Sequence, residues 1–129
     1  MSYSCTKTFI AAGAITEFAV VSMDAEGKVA VTTAATDASV VGVAQRACST
    51  GEAVEVVIYG ETKVIASALI TFNTTPLLAA TTAGKMQACE ASDTTFYQIA
   101  RAIPNVNQTS AAADVQFLVF FTGPSTLNT

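Results

Sequence analysis

The stretch that most constrains the fold is a pair of apolar runs separated by a short polar turn. Residues 40–44 (VVGVA) and 53–60 (AVEVVIYG) are rich in β-branched side chains, and the turn before the second run is Ser49-Thr50-Gly51-Glu52. Short β-branched runs on either side of a turn predict the two strands of a hairpin. The rest of the chain must therefore fit around β-structure.

Turn signals recur along the whole chain, with short apolar runs between them. The turns are predicted at 24–27, 36–39 and 83–84, and further strands at 14–16, 19–23, 28–33, 63–66, 96–103 and 115–121. Many short strands with frequent turns are typical of a barrel or sandwich. We therefore predict an all-β fold, a small β-barrel or sandwich of short antiparallel strands.

The second half of the chain resembles the first. The matched segments are 27–29 with 84–86, 15–16 with 70–71, 43–47 with 99–103 and 53–56 with 113–116, at offsets of 57, 55, 56 and 60 positions. The alternative is a chance resemblance among strands rich in Ala, Val and Thr. We interpret the ordered match as an internal duplication, since two such halves can pair their edges and close a barrel.

The ends of the chain lack the strand pattern. Residues 1–10 are mostly polar and are interpreted as an N-terminal arm, which is either flexible or an edge strand. Residues 11–122 then form a single β-barrel domain, as expected for a chain of 129 residues. Residues 123–129 are predicted to be a tail outside the fold.

Composition excludes several classes of partner. Only 12% of the residues are charged, the net charge is −4, and the six Lys and Arg residues are scattered. A surface that neutralises phosphates needs clustered basic residues, so no direct contact with nucleic acid is expected. No apolar run approaches the roughly 18 residues of a membrane span, and no signal peptide is evident, so we expect synthesis in the cytoplasm and no membrane partner.

The residues that usually carry chemistry are few. The chain has no His, and its three cysteines, Cys5, Cys48 and Cys89, are far apart. Such cysteines are typical of small buried side chains in a reducing compartment. The nearest carboxylate pairs are Asp24 with Glu26, Glu52 with Glu55, and Glu90 with Asp93, all in or beside predicted turns. We therefore predict no catalytic, metal or cofactor site, and a protein that is not an enzyme.

One alternative would be a carrier of a covalent cofactor. Short segments around Lys63 and Lys85 resemble the lysine-bearing hairpin of lipoyl and biotinyl carrier domains. Both lack that motif's complete residue order, so a solvated lysine is the preferred interpretation of each.

Taken in order, several segments resemble the small capsid decoration (cement) proteins of tailed bacteriophages. The opening AAGAIT, a Gly-Lys-Val turn, a Pro-Leu-Leu-Ala-Ala and Gly-Lys-Met segment, IARAI and the closing VQFLVFF follow that family's order. Its core pattern is met by Gly42-Val43-Ala44, Gly51-Glu52, Val54, Val56 and Gly60. The match runs from about Ala11 to Phe121, and it departs where Ile99 stands in place of the second glycine.

The resemblance implies a structural virion protein on the outer surface of an icosahedral head. It implies a homotrimer that binds the major capsid protein and stabilises contacts between its subunits. A polar arm can add a strand to a capsid edge, and the expected contact residues are Ser2, Tyr3, Ser4, Thr6, Lys7, Thr8 and Phe9. The alternative is a receptor-binding β-domain of a phage tail or fibre, for which the aromatic candidates are Tyr3, Tyr59 and Tyr97.

Overall fold

The structure is a computed structural model that describes residues 4–74, 77–90, 96–104 and 107–127. Its strands are β1 (Ser4–Ile10), β2 (Val20–Met23), β3 (Val29–Val31), β4 (Val40–Ala44), β5 (Ala53–Ile65), β6 (Ile70–Thr71), β7 (Leu77–Ala80), β8 (Met86–Ala88), β9 (Tyr97–Ala102), β10 (Ser110–Ala111) and β11 (Gln116–Leu127). A single 3₁₀ turn at Thr82–Gly84 is the one helical element within these ranges. The predicted all-β class is confirmed.

Nine of the strands form one curled antiparallel sheet with the shape of half a barrel. Its strand order is β3-β2-β4-β5-β11-β9-β7-β8, and β1 also pairs with β5. The remaining strands, β6 and β10, pair with each other. Because β1 and β4 both pair with Val56 and Val57, they lie on opposite edges of β5. The central strand of the molecule is therefore β5.

The hairpin predicted at residues 40–60 is formed by β4 and β5. Val43 pairs with Val57, and Ala44 pairs with Val56. The two backbones approach closely at Gly42, where an added Cβ would lie 2.2 Å from the carbonyl oxygen of Val57. Glycine at this position therefore permits the close contact.

The sheet consists of two copies of one arrangement. We call residues 4–58 the first repeat and residues 59–121 the second repeat. The strand order is β3-β2-β4-β5 in the first and β8-β7-β9-β11 in the second. The pairing registers agree as well: Val21 faces Val31 and Gly42, and the equivalent Leu78 faces Ala88 and Ala100. The predicted internal duplication is therefore visible in the strand pairing.

The turns repeat along with the strands. The Gly51 N–H donates to the Ala11 carbonyl at 2.8 Å, and the Asp114 N–H donates to the Ala66 carbonyl at 2.7 Å. Both turn residues have a left-handed backbone, with φ of 87° at Gly51 and 66° at Asp114. Equivalent isolated bridges join residue 11 to β3 and residue 66 to β8. The duplication therefore includes the connections between strands.

Two of the four predicted offsets agree with this register, and two are wrong. The offsets of 55 and 57 hold, whereas β4 matches β9 at 58 and β5 matches β11 at 63. An offset of 60 would have placed buried Val54 and Val56 on exposed Asp114 and Gln116. Matching the Ala and Val residues of the two halves by identity missed the correct offset, because the alternation of buried and exposed side chains fixes the register of a strand. The equivalent of Gly42 is accordingly Ala100 and not Ile99.

The structure describes most of the arm predicted at residues 1–10 and part of the tail predicted at residues 123–129. β1 is the equivalent of the second half of β5, since Ile10 pairs with Ala53 as Ile65 pairs with Gln116. Of the two alternatives for the arm, residues 4–10 are thus an edge strand. Residues expected in the tail continue β11, where Thr126 pairs with Gln98. Nearly every β1 side chain is exposed, so this strand has no apolar alternation that could reveal it. Residues 1–3, 128 and 129 lie outside the described ranges.

The core forms two large clusters, one of first-repeat residues and one in which Val20, Val40 and Val43 of the first repeat join residues of the second. The equivalent core pairs are Ala11 and Ala66, Ile15 and Ile70, Val21 and Leu78, Val29 and Met86, Ala44 and Ala102, Val54 and Phe117, and Val56 and Val119. The second repeat has the larger side chain at three of these positions. Full burial of such a side chain contributes about 1.5–3 kcal/mol. The two cores therefore make separate contributions to stability.

We predict that Phe117→Ala lowers the free energy of unfolding by about 3–5 kcal/mol, because it leaves a cavity in the second core. Leu118→Ala, the matched control on the opposite face of β11, should cost about 1 kcal/mol or less. Urea unfolding measures both values. Equal losses, or a larger loss for Leu118→Ala, would contradict the offset of 63.

Candidate interaction surface

β1 contains most of the residues predicted to contact a partner. Ser4, Thr6, Lys7, Thr8 and Phe9 lie on this strand, and Ser2 and Tyr3 lie outside the described residues. The structure thus presents the predicted contact residues as one edge of the sheet.

The outer backbone groups of β1 can be identified from the hydrogen bonds of β5. The Gln45 N–H donates to the Glu55 carbonyl at 2.9 Å, so the backbone of Glu55 faces β4. In an antiparallel pair, neighbouring residues alternate between the two edges. Thr8, which lies opposite Glu55, therefore directs its N–H and C=O away from β5. No other strand in the described part of the chain pairs with this outer edge.

The side chains along this edge are mostly polar and exposed. Lys7 provides the only charge on β1, and Cys5 is exposed. Phe9 is the exception, because it is half-buried and packs against the core of the first repeat. One side chain thus anchors β1, while the outward backbone groups and the remaining side chains face solvent. We call this surface the β1 edge.

A second surface lies where β5, β11, β9 and β7 run side by side. The rings of Tyr59 and Phe120 meet edge to face, with 5.3 Å between their centroids, and Tyr59 is 52% exposed. Arg101 is exposed and lies between Phe120 and Leu77 in the strand pairing. Aromatic side chains and Arg are enriched in the centres of protein interfaces.

A cavity of about 650 Å³ opens beside β6 and β10. Its lining includes Leu69, Thr71, Phe72, Asn73, Thr109 and Ser110. The cavity is large enough for a small ligand, and its apolar, hydroxyl and amide groups suit a neutral one.

The carboxylates singled out in the sequence stabilise local structure. Oδ1 of Asp24 accepts the N–H groups of Glu26 and Lys28 at 2.9 and 3.0 Å. Oε1 of Glu52 accepts the Ser49 N–H at 2.6 Å. These contacts explain both carboxylates as turn residues.

Glu55, which was paired with Glu52 in the sequence analysis, also has a partner. Glu55 pairs with Arg46 across the hairpin, with 3.1 Å between Oε1 and Nε. Glu90 lies in the described part of the chain, and Asp93 lies outside it.

Neither lysine that resembles a carrier site lies at a hairpin tip. Lys63 is within β5, opposite Leu118. Lys85 follows the 3₁₀ turn, and its Nζ lies 2.5 Å from Oδ1 of Asp114. A carrier domain presents its lysine free at the end of a turn, so these positions do not favour that alternative.

The two described aromatic candidates for receptor binding lie on different strands. Tyr59 belongs to the second surface, Tyr97 is half-buried with its N–H bonded to the Ala35 carbonyl, and Tyr3 is outside the described ranges. Among the residues that the structure describes, no group of three potential metal ligands occurs. No helix in those ranges is both long and apolar enough to cross a membrane.

One polar network lies between β2, β3 and the loop that follows. The Ser22 hydroxyl donates to Oδ2 of Asp37 at 2.7 Å and lies 2.6 Å from the hydroxyl of buried Thr32. Partial burial raises the pKa of Asp37, but hydrogen bonds from the Ser39 side chain, Ser22 and the Ser39 N–H outweigh it. The pKa of Asp37 is therefore below its ordinary value of 3.8.

In comparisons with known proteins, no family model matches the chain, and no curated protein matches it. Sequence reasoning identified the residues of β1 but missed the surface formed by Arg101 and Phe120. The corrected offsets of 58 and 63 would have revealed it, because they align these residues with the apolar Val43 and Val57.

We predict that Asp37→Asn lowers the free energy of unfolding at pH 7, and that the difference from the wild type shrinks in acid. A carboxylate whose folded pKa is depressed stabilises the fold above its unfolded pKa, and this contribution is lost as pH falls through the folded value. Urea unfolding at pH 7 and at pH 3 or below measures the difference. A difference that is the same at both pH values would contradict this role.

Proposed function

We propose that this protein is a structural virion protein that binds the outer surface of a phage icosahedral capsid. In this role it stabilises contacts between subunits of the major capsid protein, and it is not an enzyme. The observation that carries the proposal is the β1 edge, which occupies the segment expected to contact the capsid.

The β1 edge is suited to binding by strand addition. Thr6 and Thr8 both lie opposite residues of β5 that face β4, so their backbone groups point outward. An extended segment of a partner can pair with such groups, and the backbone hydrogen bonds then supply affinity. A long open edge is otherwise a liability that proteins protect, so its presence favours a partner.

The sequence pattern shared with decoration proteins supports the proposal through the fold. Gly42 permits the close approach of β4 to β5, and Gly51 and Gly60 have φ of 87° and 115°. Such backbone conformations favour glycine. The pattern therefore consists of positions that the fold requires, and a low density of charge leaves much of the surface available for packing.

A homotrimer would multiply the contacts. Three β1 edges on one assembly would act through effective concentration, so each edge could bind weakly on its own. The expected location is the outer face of the virion, with the major capsid protein as partner.

The second candidate is a receptor-binding domain of a phage tail or fibre. The cavity beside β6 and β10, with its neutral polar lining, favours this class. Cosedimentation of the purified protein with empty phage heads or with host envelopes distinguishes the two. Binding to envelopes and not to heads would replace the first proposal with the second.

We predict that Thr8→Pro weakens binding to undecorated heads by about tenfold or more, because it removes an outward N–H and places a ring on the edge. Its folding stability should change by less than about 1 kcal/mol, since Pro is tolerated where the N–H faces solvent. Cosedimentation with heads of the phage that encodes the protein measures the binding, and urea unfolding measures the stability.

The matched control is Lys7→Pro, whose N–H faces β5. This variant should lose roughly 1–3 kcal/mol of stability, because it leaves a carbonyl of β5 without its partner. Unchanged binding of a folded Thr8→Pro protein to heads would remove the β1 edge from the mechanism.

A further inference from the structure

Two equivalent rows of side chains differ in burial. The first row, in the first repeat, consists of Val20, Val43 and Val57, which pair side by side on β2, β4 and β5 and are 0%, 0% and 3% exposed. The second row, in the second repeat, consists of Leu77, Arg101 and Phe120 on β7, β9 and β11. Arg101 is exposed and its two neighbours are only half-buried. Another part of the protein therefore covers the side chains of the first row, whereas those of the second row are accessible to solvent.

The second repeat covers the first row. Its 3₁₀ turn contacts the first repeat just after β3, since the Gly84 N–H donates to the Thr32 carbonyl at 2.9 Å. A Cβ on Gly84 would lie 2.8 Å from Cβ of Ala19 and 2.9 Å from the carbonyl oxygen of Val20. Val20 and Val43 also belong to one core cluster with residues of the second repeat. In this contact, the 3₁₀ turn of the second repeat lies against Val20, one end of the first row.

Among the residues that the structure describes, the equivalent turn of the first repeat has no such contact. Gly27, the equivalent of Gly84, has the same left-handed backbone, with φ of 80° against 70°. A Cβ on Gly27 would meet no atom within 4 Å. Within the described ranges, the turn at residues 82–84 is therefore joined to the first row, whereas the equivalent turn at residues 24–28 is not joined to the second row.

The unjoined turn and row carry opposite charges. Asp24 and Glu26 outnumber Lys28 in the first turn, which is therefore acidic overall, and Arg101 lies in the second row. In the joined pair, the equivalent positions are the uncharged Thr81, Ala83 and Val43. The Glu26 side chain is 76% exposed, and its contact with Lys28 is long, at 3.7 Å. The opposite charges of the turn at residues 24–28 and of the second row favour contact between these two surfaces.

We propose that the turn at residues 24–28 of one molecule docks on the second row of a second copy. The docked Gly84 lies against Val20, so the docked Gly27 would lie beside Leu77, and Glu26 would come next to Arg101. Leu77 packs against the cluster of Ala35, Ala79 and Cys89 but stays half-buried, so part of its side chain is accessible to the incoming turn. Tyr59, edge-on to Phe120, borders the site.

This contact joins two different surfaces, so one molecule of the pair keeps a free row and the other keeps a free turn. Heterologous contacts of this kind give a closed ring when the rotation closes and an open filament when it does not. A trimeric ring is one closed solution and would supply the homotrimer of the proposed function. The inference itself rests on the repeats alone and does not require a capsid.

The test is a charge exchange between Arg101→Glu and Glu26→Arg. Each substitution is at an exposed position, so both proteins should fold, and far-ultraviolet circular dichroism with urea unfolding verifies this. Light scattering coupled to size exclusion, over a range of protein concentrations, should show that each variant self-associates at least about tenfold more weakly than the wild type. Mixing the two variants should restore association in pairs of unlike molecules, because the turn of each variant then meets a row of opposite charge; a closed ring of three would keep one mismatched contact.

Lys7→Glu is the matched control, since it changes the net charge as Arg101→Glu does but lies on the β1 edge. It should associate like the wild type. A wild-type protein that stays monomeric at all concentrations, variants that associate normally, or a mixture that remains dissociated would each overturn the proposal. Loss of head binding by Lys7→Glu with intact self-association would separate the capsid contact from the contact proposed between copies.

Discussion

The continuity of β5 is the constraint on which the rest of the structure depends. Its first half is the last strand of the first repeat, and its second half is the first strand of the second. The backbone at Gly60, between the halves, has φ of 115°, which an L side chain rarely adopts. Because one strand belongs to both repeats, neither core can form in register without fixing the position of the other.

The hairpin, the turns and the existence of a duplication could be predicted from the sequence. These features have local signals, such as the β-branched runs around Gly51 and the Gly-Lys turns at 27 and 84. The strand β1 could not be distinguished from a flexible arm, because its partner supplies backbone bonds rather than apolar contacts. The second row was hidden for a related reason, since Arg101 replaces the valine that would have marked the repeat.

The exposed surfaces suggest a division of roles within the fold. Residues that match the decoration-protein pattern meet backbone requirements, so they are tied to the shape of the sheet. Partner selection would then depend on the outward groups of β1, on the acidic turn at 24–28 and on the row around Arg101. These positions can change without disturbing either core, which is how one fold can serve different partners.

The most direct test of the open β1 edge is amide hydrogen exchange across residues 6–9, measured by NMR on the isolated protein. We expect an alternation, with slow exchange at Lys7 and Phe9, which bond to β5, and fast exchange at Thr6 and Thr8, which face outward. Fast exchange at all four residues would mean that the segment is a free arm. Slow exchange at all four would mean that the edge is already covered, and either result would contradict an open β1 edge.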